Sequence, residues 1–172
     1  YKGTLDAIPH RIKKVGVFVD ASIAEIIEKI KNFELVAVQL HGKESPEFCQ
    51  ELREKTKNID IIKVFSVLDE FDFSLLAPYE KVCDFYLFDT KGKLPGGNGV
   101  TFDWTILKKY PSKKPYFLSG GIGLEEVKDL KLFFKIPTSK YCHAIDVNSK
   151  FELQPGLKDI DKLKELKSTL HL

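Results

Sequence analysis

The sequence predicts an α/β protein in which parallel strands alternate with helices. Apolar runs rich in β-branched and aromatic residues recur about every two dozen to thirty residues, with amphipathic segments between them. Because parallel neighbours need a crossover connection, and each connection here carries a helix, the strands are expected to be parallel. The six strands suit an open doubly wound sheet, whereas a closed (β/α)8 barrel needs two more units.

Six short apolar runs are the predicted strands. The first is an unbroken run of valine, glycine and phenylalanine, which is typical of a strand buried on both faces of a parallel sheet. The runs cover residues 15–19, 35–40, 61–65, 85–88, 116–118 and 142–145.

Helical segments separate these strands, and two of them have clear start signals. Ser22 is the expected N-cap of a helix whose isoleucines recur with a helical period. Ser45 precedes Pro46, a residue favoured in the first turn, and that helix is expected to run through Lys55. The other helical predictions cover residues 4–11, 68–77, 104–109, 124–133 and 159–170.

Composition excludes several classes of protein. With 172 residues, of which 43% are hydrophobic and 30% charged, the chain is expected to form one globular domain over residues 1–172. The net charge of +2, with lysines scattered along helices and turns, predicts no nucleic-acid surface. No apolar run approaches the roughly 20 residues of a membrane span, so no membrane partner is expected.

The cysteines are odd in number and lack CxxC spacing. They are Cys49, Cys83 and Cys142. This pattern predicts neither a disulfide framework nor a zinc site, so no metal is expected, and a cytoplasmic location fits best.

Asp89 is the candidate catalytic residue. It ends the fourth predicted strand and precedes a glycine-rich loop that contains Gly96, Gly97, Asn98 and Gly99. A carboxylate at the C-terminal end of a parallel strand, beneath a loop that can close over it, is typical of active sites in α/β proteins. The alternative is that Asp89 only caps the turn.

Two small-residue turns follow the last two predicted strands and favour a phosphate site. Glycine lets backbone amides close on an anion, and paired turns of this kind at late strands are typical of phosphate-binding barrels. The candidate phosphate-binding residues are Gly120, Gly121, Gly123, Asn148 and Ser149.

Several motifs, in order over nearly the whole chain, carry a resemblance to a known family. They include Val38-Gln39-Leu40-His41-Gly42, Phe88-Asp89-Thr90, Thr101-Phe102-Asp103-Trp104, Leu118-Ser119-Gly120-Gly121 and Pro155-Gly156-Leu157-Lys158-Asp159. With them, the sequence resembles the phosphoribosylanthranilate isomerase family of tryptophan biosynthesis. The resemblance implies a (β/α)8 TIM barrel, of which this sequence covers about six β/α units from the third strand onward.

The resemblance also implies an Amadori rearrangement of N-(5-phosphoribosyl)anthranilate to 1-(2-carboxyphenylamino)-1-deoxyribulose 5-phosphate, without metal or organic cofactor. Asp89 matches the family's general acid, which protonates the ring oxygen as the ribose opens. Asp146 matches a carboxylate that faces the sugar hydroxyls, although it could merely cap its turn. His41 either touches substrate or is structural. Lys150 stands where the family more often has glycine, which conflicts with a left-handed backbone there.

One implied part of the family has no match in the sequence. The family's chain opens with a strand ending in Lys-Ile-Cys-Gly, whose cysteine is the base, and with a Ser-Pro-Arg loop that supplies a substrate-binding arginine. The three cysteines present are expected to be packing residues. We therefore expect further β/α units before Tyr1, and we expect this chain alone to be inactive.

Other functions stay open at this point. The chain could be a non-catalytic phosphosugar-binding barrel or an inactive fragment. Indole-glycerol-phosphate synthase is disfavoured, because that family relies on lysines at strand ends and only Lys63 lies in a predicted strand. The expected partner is a small phosphorylated substrate, and the expected state is a monomer or a homodimer.

Overall fold

Six strands form one sheet, in which they follow one another in chain order. The computed structural model describes residues 8–68, 70–90 and 101–170. The strands are β1 (Val15–Phe18), β2 (Ala37–Leu40), β3 (Asp60–Val67), β4 (Phe85–Thr90), β5 (Tyr116–Leu118) and β6 (Cys142–Ile145). The pairs β1–β2, β2–β3 and β5–β6 are parallel. The predicted α/β class and the six strands of the sheet are thereby confirmed.

Four α-helices and four short 3₁₀ helices connect and flank the strands. The α-helices are α1 (Ile23–Phe33), α2 (Pro46–Lys55), α3 (Val127–Phe133) and α4 (Ile160–Leu170), and the 3₁₀ helices cover Phe73–Tyr79, Trp104–Lys109, Pro137–Tyr141 and Ser149–Phe151 within the described residues. Ser22 and Ser45 cap α1 and α2 as predicted, each accepting a hydrogen bond of 3.2 Å from a first-turn amide.

Four helical predictions differ from the structure, and one of them, over residues 124–133, begins only at Val127. In place of the helix predicted over residues 68–77, the structure has a 3₁₀ helix at Phe73–Tyr79, which contains Pro78, whose missing amide removes an α-helical hydrogen bond. Residues 104–109 also form a 3₁₀ helix, because six residues are too few to repay α-helix nucleation. Residues 8–11 form a bend and a turn around Pro9 rather than the end of a helix.

An antiparallel hairpin follows the sixth strand and was not predicted. It pairs β7 (Glu152–Gln154) with β8 (Leu157–Lys158) through a turn in which Gly156 has a φ of +81°. Strands of three and two residues are too short for a periodic pattern. The Pro155-Gly156 pair between them was the available signal.

The described residues fall into two compact units. The first comprises the chain up to Val64 together with Ser74–Tyr86, and the second comprises Phe65–Phe73 together with the chain from Leu87 onward. The prediction of one domain over residues 1–172 is not decided by this division and stays a prediction.

The core of the first unit is aliphatic. Its fully buried side chains include Ile26, Val38, Leu40, Leu52 and Ile61, which come from α1, β2, α2 and β3. Burial of such side chains contributes about 25 cal/mol for each Å² of apolar surface removed from water. This burial holds the strand ends of the first unit in a fixed frame.

The core of the second unit is aromatic. Phe88 of β4 meets the ring of Tyr116 of β5 at a centroid distance of 5.3 Å, and Tyr110 meets Tyr116 at 5.0 Å, both edge to face. The Ser119 amide donates a 2.9 Å hydrogen bond to the Phe88 carbonyl. These contacts place the residues that follow β5 beside the C-terminal end of β4.

Two cysteines are neutral thiols in the folded chain. Burial raises the pKa of Cys49 to about 11 and that of Cys142 to about 12. Cys49 and Cys83 are buried, and none of the three cysteines forms a disulfide bond in the part of the chain that the structure describes. These surroundings suit the packing role predicted for the cysteines.

We expect the free energy of unfolding to fall as the pH rises above about 9, the ordinary pKa of a thiol. The folded-state pKa of Cys49 is raised, so its contribution is complete below that pH. It is lost above that pH because the unfolded chain releases a proton that the folded chain retains. Urea unfolding between about pH 7 and pH 10.5 measures this. Cys49→Ala should lessen the fall, and an equal fall in that variant would contradict the assignment.

Candidate active site

The C-terminal end of β4 carries Asp89 and Thr90, the last two residues of the strand. Asp89 is half-buried. The Thr90 hydroxyl accepts a 3.1 Å hydrogen bond from the Phe102 amide. Phe102 is buried, so this bond fixes the start of the segment that returns from the glycine-rich loop. The loop itself, with Gly96, Gly97, Asn98 and Gly99, lies outside the described residues.

Gly120 packs directly against Thr90. A Cβ added to Gly120 would lie 2.5 Å from the Thr90 nitrogen and still closer to its hydroxyl oxygen. Gly120 also has a φ of +92°, a left-handed conformation that favours glycine. Only glycine therefore lets the turn after β5 approach the strand end that carries Asp89.

Ser119 and Asp146 join the ends of β5 and β6. The Ser119 hydroxyl donates a 3.0 Å hydrogen bond to Asp146 Oδ2, and the Asp146 amide donates a 2.7 Å bond to the Leu118 carbonyl. The Asp146 carboxylate is thus held in one orientation by a neighbouring strand. Sequence reasoning left Ser119 out of the site, although a serine between an apolar strand and two glycines was an available signal.

The two predicted phosphate turns are adjacent in the structure. Gly121 has a φ of +63°, and a Cβ added to Gly123 would lie 3.3 Å from Cβ of Lys150. Ser149 begins the 3₁₀ helix Ser149–Phe151, and Asn148 Oδ1 accepts a hydrogen bond from the Lys158 ammonium. All the candidate phosphate residues therefore lie in one cluster of the second unit.

Lys150 does not have a left-handed backbone, in agreement with the expectation that a lysine at this position conflicts with one. Among the described non-glycine residues, positive φ occurs only at Asp20, Glu34 and Asn58. The side chain of Lys150 instead forms a 2.6 Å ion pair with Glu126. Neither residue was predicted to belong to the site.

His41 lies in the first unit, directly after β2. Its amide donates a 2.8 Å hydrogen bond to the Phe18 carbonyl, and its Nδ1 lies 3.1 Å from Gln39 Nε2. A Cβ on the next residue, Gly42, would lie 2.6 Å from the Asp20 nitrogen, so the β2 turn packs closely on the turn after β1. The backbone of His41 is therefore rigidly placed.

A buried ion pair lies in the same unit as the turn that carries His41. Lys63 Nζ donates to Glu44 Oε2 at 2.9 Å and to the Gly42 carbonyl at 2.8 Å. The Glu44 carboxylate accepts the amides of Gly42 and Asp20 at 3.0 to 3.1 Å. The side chains of Lys63 and Glu44 are only 4% and 2% exposed. A lysine inside an apolar strand signalled a buried partner, but sequence reasoning did not identify Glu44.

In the part of the chain that the structure describes, no group of three or more histidine, cysteine or acidic side chains is arranged to hold a metal ion. None of the helices in those same residues is long and apolar enough to cross a membrane.

A family model and a curated relative both indicate the same family. The model of the family described as N-(5'-phosphoribosyl)anthranilate (PRA) isomerase matches residues 5–168. The N-(5'-phosphoribosyl)anthranilate isomerase of Parabacteroides distasonis is 44% identical over 160 residues, which are 92% of this chain and 70% of that protein.

Solved structures of similar chains share the fold. The phosphoribosyl anthranilate isomerase of Thermotoga maritima superposes with a TM-score of 0.80 at 32% identity, over 98% of this chain and 78% of that one. A structure of this isomerase in complex with reduced 1-(o-carboxyphenylamino)-1-deoxyribulose 5-phosphate superposes with a TM-score of 0.74 at 29% identity, over 98% and 76% of the two chains.

Proposed function

Because the chain belongs to the N-(5'-phosphoribosyl)anthranilate isomerase family, we propose that it converts N-(5'-phosphoribosyl)anthranilate into 1-(2-carboxyphenylamino)-1-deoxyribulose 5-phosphate. One observation carries the assignment of the site. The close packing of Gly120 on Thr90 places an amide-rich turn next to the strand end that bears Asp89. An acid and an anion-binding turn are two of the functions that an aldose-to-ketose rearrangement of a sugar phosphate requires, and a base for the C2 proton is a third.

Asp89 is proposed as the general acid of the first step. It gives a proton to the ribose ring oxygen while the C1–O bond breaks, and the anthranilate nitrogen supplies the electron pair that forms an iminium. Loss of the C2 proton then gives an enolamine, which becomes the ketone product. Cys49 and Cys142 are not proposed as the base for that proton, because burial raises the pKa of Cys49 to about 11 and that of Cys142 to about 12.

The remaining site residues are proposed to hold the substrate. Backbone amides of the two phosphate turns would bind the phosphate, at the residues Gly120, Gly121, Gly123, Asn148 and Ser149. Asp146, oriented by Ser119, would accept hydrogen bonds from the sugar hydroxyls. His41 is proposed to touch the substrate from the turn that follows β2.

The proposed partner is therefore a small phosphorylated molecule. We propose the cytoplasm as the location because none of the three cysteines in the described residues forms a disulfide bond. Monomer or homodimer stays a prediction that light scattering decides.

The isomerase assay on the 172-residue chain tests the proposed function. Formation of the ketose phosphate from N-(5'-phosphoribosyl)anthranilate would support it, and would contradict the expectation that this chain alone is inactive. Binding of ribose 5-phosphate without turnover would favour the non-catalytic phosphosugar-binding alternative. Absence of both would remove the proposal.

Gly121→Val is expected to weaken ribose 5-phosphate binding by about tenfold or more, because a β-branched residue cannot hold the left-handed backbone of Gly121 without strain. Isothermal titration measures the affinity. Gly156→Val is the matched control, because Gly156 also has a positive φ and lies outside the phosphate turns, and its added Cβ would meet no atom within 4 Å other than those of its chain neighbours. Equal affinities in wild type and Gly121→Val would exclude this turn from the phosphate site.

A further inference from the structure

The side chain of Lys150 lies across the first phosphate turn. A Cβ added to Gly123 would lie 2.5 Å from Lys150 Cδ, so the lysine stem occupies the space that the glycine leaves open. The ammonium then reaches Glu126 Oε1 at 2.6 Å. The side chains of Lys150 and Glu126 are 23% and 16% exposed, so the pair is partly shielded from water.

Glu126 brings a second and unusual feature to the same turn. Its Oε2 atom is buried and accepts no hydrogen bond from any residue that the structure describes. That oxygen lies 3.0 Å from the position of a Cβ on Gly123. The negative charge of this carboxylate disfavours the binding of a phosphate at the neighbouring amide turn, unless a cation lies close to both anions.

We propose that Lys150 is a phosphate-binding residue which Glu126 holds in place until the substrate arrives. This inference rests on the proposed function, because it requires a phosphate in the turns. In the free protein the Lys150 ammonium neutralises Glu126. With substrate bound, the same ammonium turns to the phosphate, to which it adds a charge-assisted hydrogen bond that backbone amides alone do not supply.

Glu126 has an opposing role in this arrangement. It competes with the phosphate for one ammonium group, and its negative charge repels the dianion, so it lowers the affinity of the site. Removing the lysine and removing the glutamate should therefore change phosphate affinity in opposite directions. A pair that only ties the two turns together would show loss of affinity in both variants.

The test is titration of ribose 5-phosphate and of inorganic phosphate into wild type, Lys150→Met and Glu126→Gln. Lys150→Met is expected to weaken both affinities about tenfold, and Glu126→Gln is expected to strengthen both about threefold. These changes correspond to differences in binding free energy of about 1.4 and about 0.6 kcal/mol. Lys150→Arg keeps the charge and should restore most of the affinity. In turnover assays Lys150→Met should raise KM with kcat nearly unchanged.

The matched control is Lys164→Met on α4, where Lys164 pairs with Asp161 at 3.3 Å and both side chains are exposed. It should leave both affinities unchanged. The inference is overturned if Glu126→Gln weakens phosphate binding as Lys150→Met does, or if Lys150→Met binds as wild type does; the phosphate site itself would then stand. If wild type binds neither phosphate probe, the inference and the proposed phosphate site fail together.

Discussion

Asp89→Asn is expected to lower kcat by about 10²–10⁴-fold while KM stays near its original value. Asparagine matches aspartic acid in size and shape, but its amide has no acidic proton to give to the ribose ring oxygen. The half-buried position of Asp89 at the end of β4 and the packing of Gly120 on Thr90 place this residue beside the proposed phosphate turns. Steady-state kinetics with N-(5'-phosphoribosyl)anthranilate measures the effect, in any form of the enzyme that turns over.

Asp129→Asn is the control for that experiment. Asp129 is an exposed residue of α3 to which no catalytic role is proposed, and Asp129→Asn makes the same chemical change there. Its kcat and KM should equal those of wild type. If Asp89→Asn retains activity within a few-fold, Asp89 caps its turn and is not the general acid.

Lys63→Met is expected to destabilise the folded chain by about 3–5 kcal/mol. The substitution keeps much of the side-chain volume but leaves the Glu44 carboxylate buried without its cation. It also removes the donor to the carbonyl of Gly42, next to His41. Urea unfolding gives the free energy, and the slope of the transition should stay constant if only stability has changed.

An exposed ion pair provides the matched control for Lys63. Lys55 and Glu51 of α2 lie 2.6 Å apart, yet their side chains are 52% and 54% exposed. Lys55→Met should change the free energy of unfolding by about 0–1 kcal/mol, because water already screens that pair. If Lys63→Met costs no more than Lys55→Met, then the Glu44 carboxylate finds another cation or is protonated in the fold.

Local sequence signals predicted the elements that depend on short stretches of chain. The bounds of β5, β6 and α2 agree with the prediction, because an apolar run or a Ser-Pro start acts within a few residues. Predictions of α-helix were wrong where the segment is short or contains a proline that favours a 3₁₀ helix, as in the 3₁₀ helix that contains Pro78. The hairpin at Gly156 was missed because its strands are too short for a period to show.

In the candidate site, too, the sequence indicated local features, and the tertiary structure decided which distant residues meet. The sequence by itself indicated Asp89 and the glycine turns, because strand ends and glycine positions are readable one segment at a time, and their roles stay predictions. Only the tertiary structure decided the partners: Ser119 with Asp146, Lys63 with Glu44 and Lys150 with Glu126 lie 27, 19 and 24 residues apart. A local pattern records whether a side chain suits burial or solvent. It does not record which distant polar group the fold brings within hydrogen-bonding distance, because that depends on how all the strands pair and pack together.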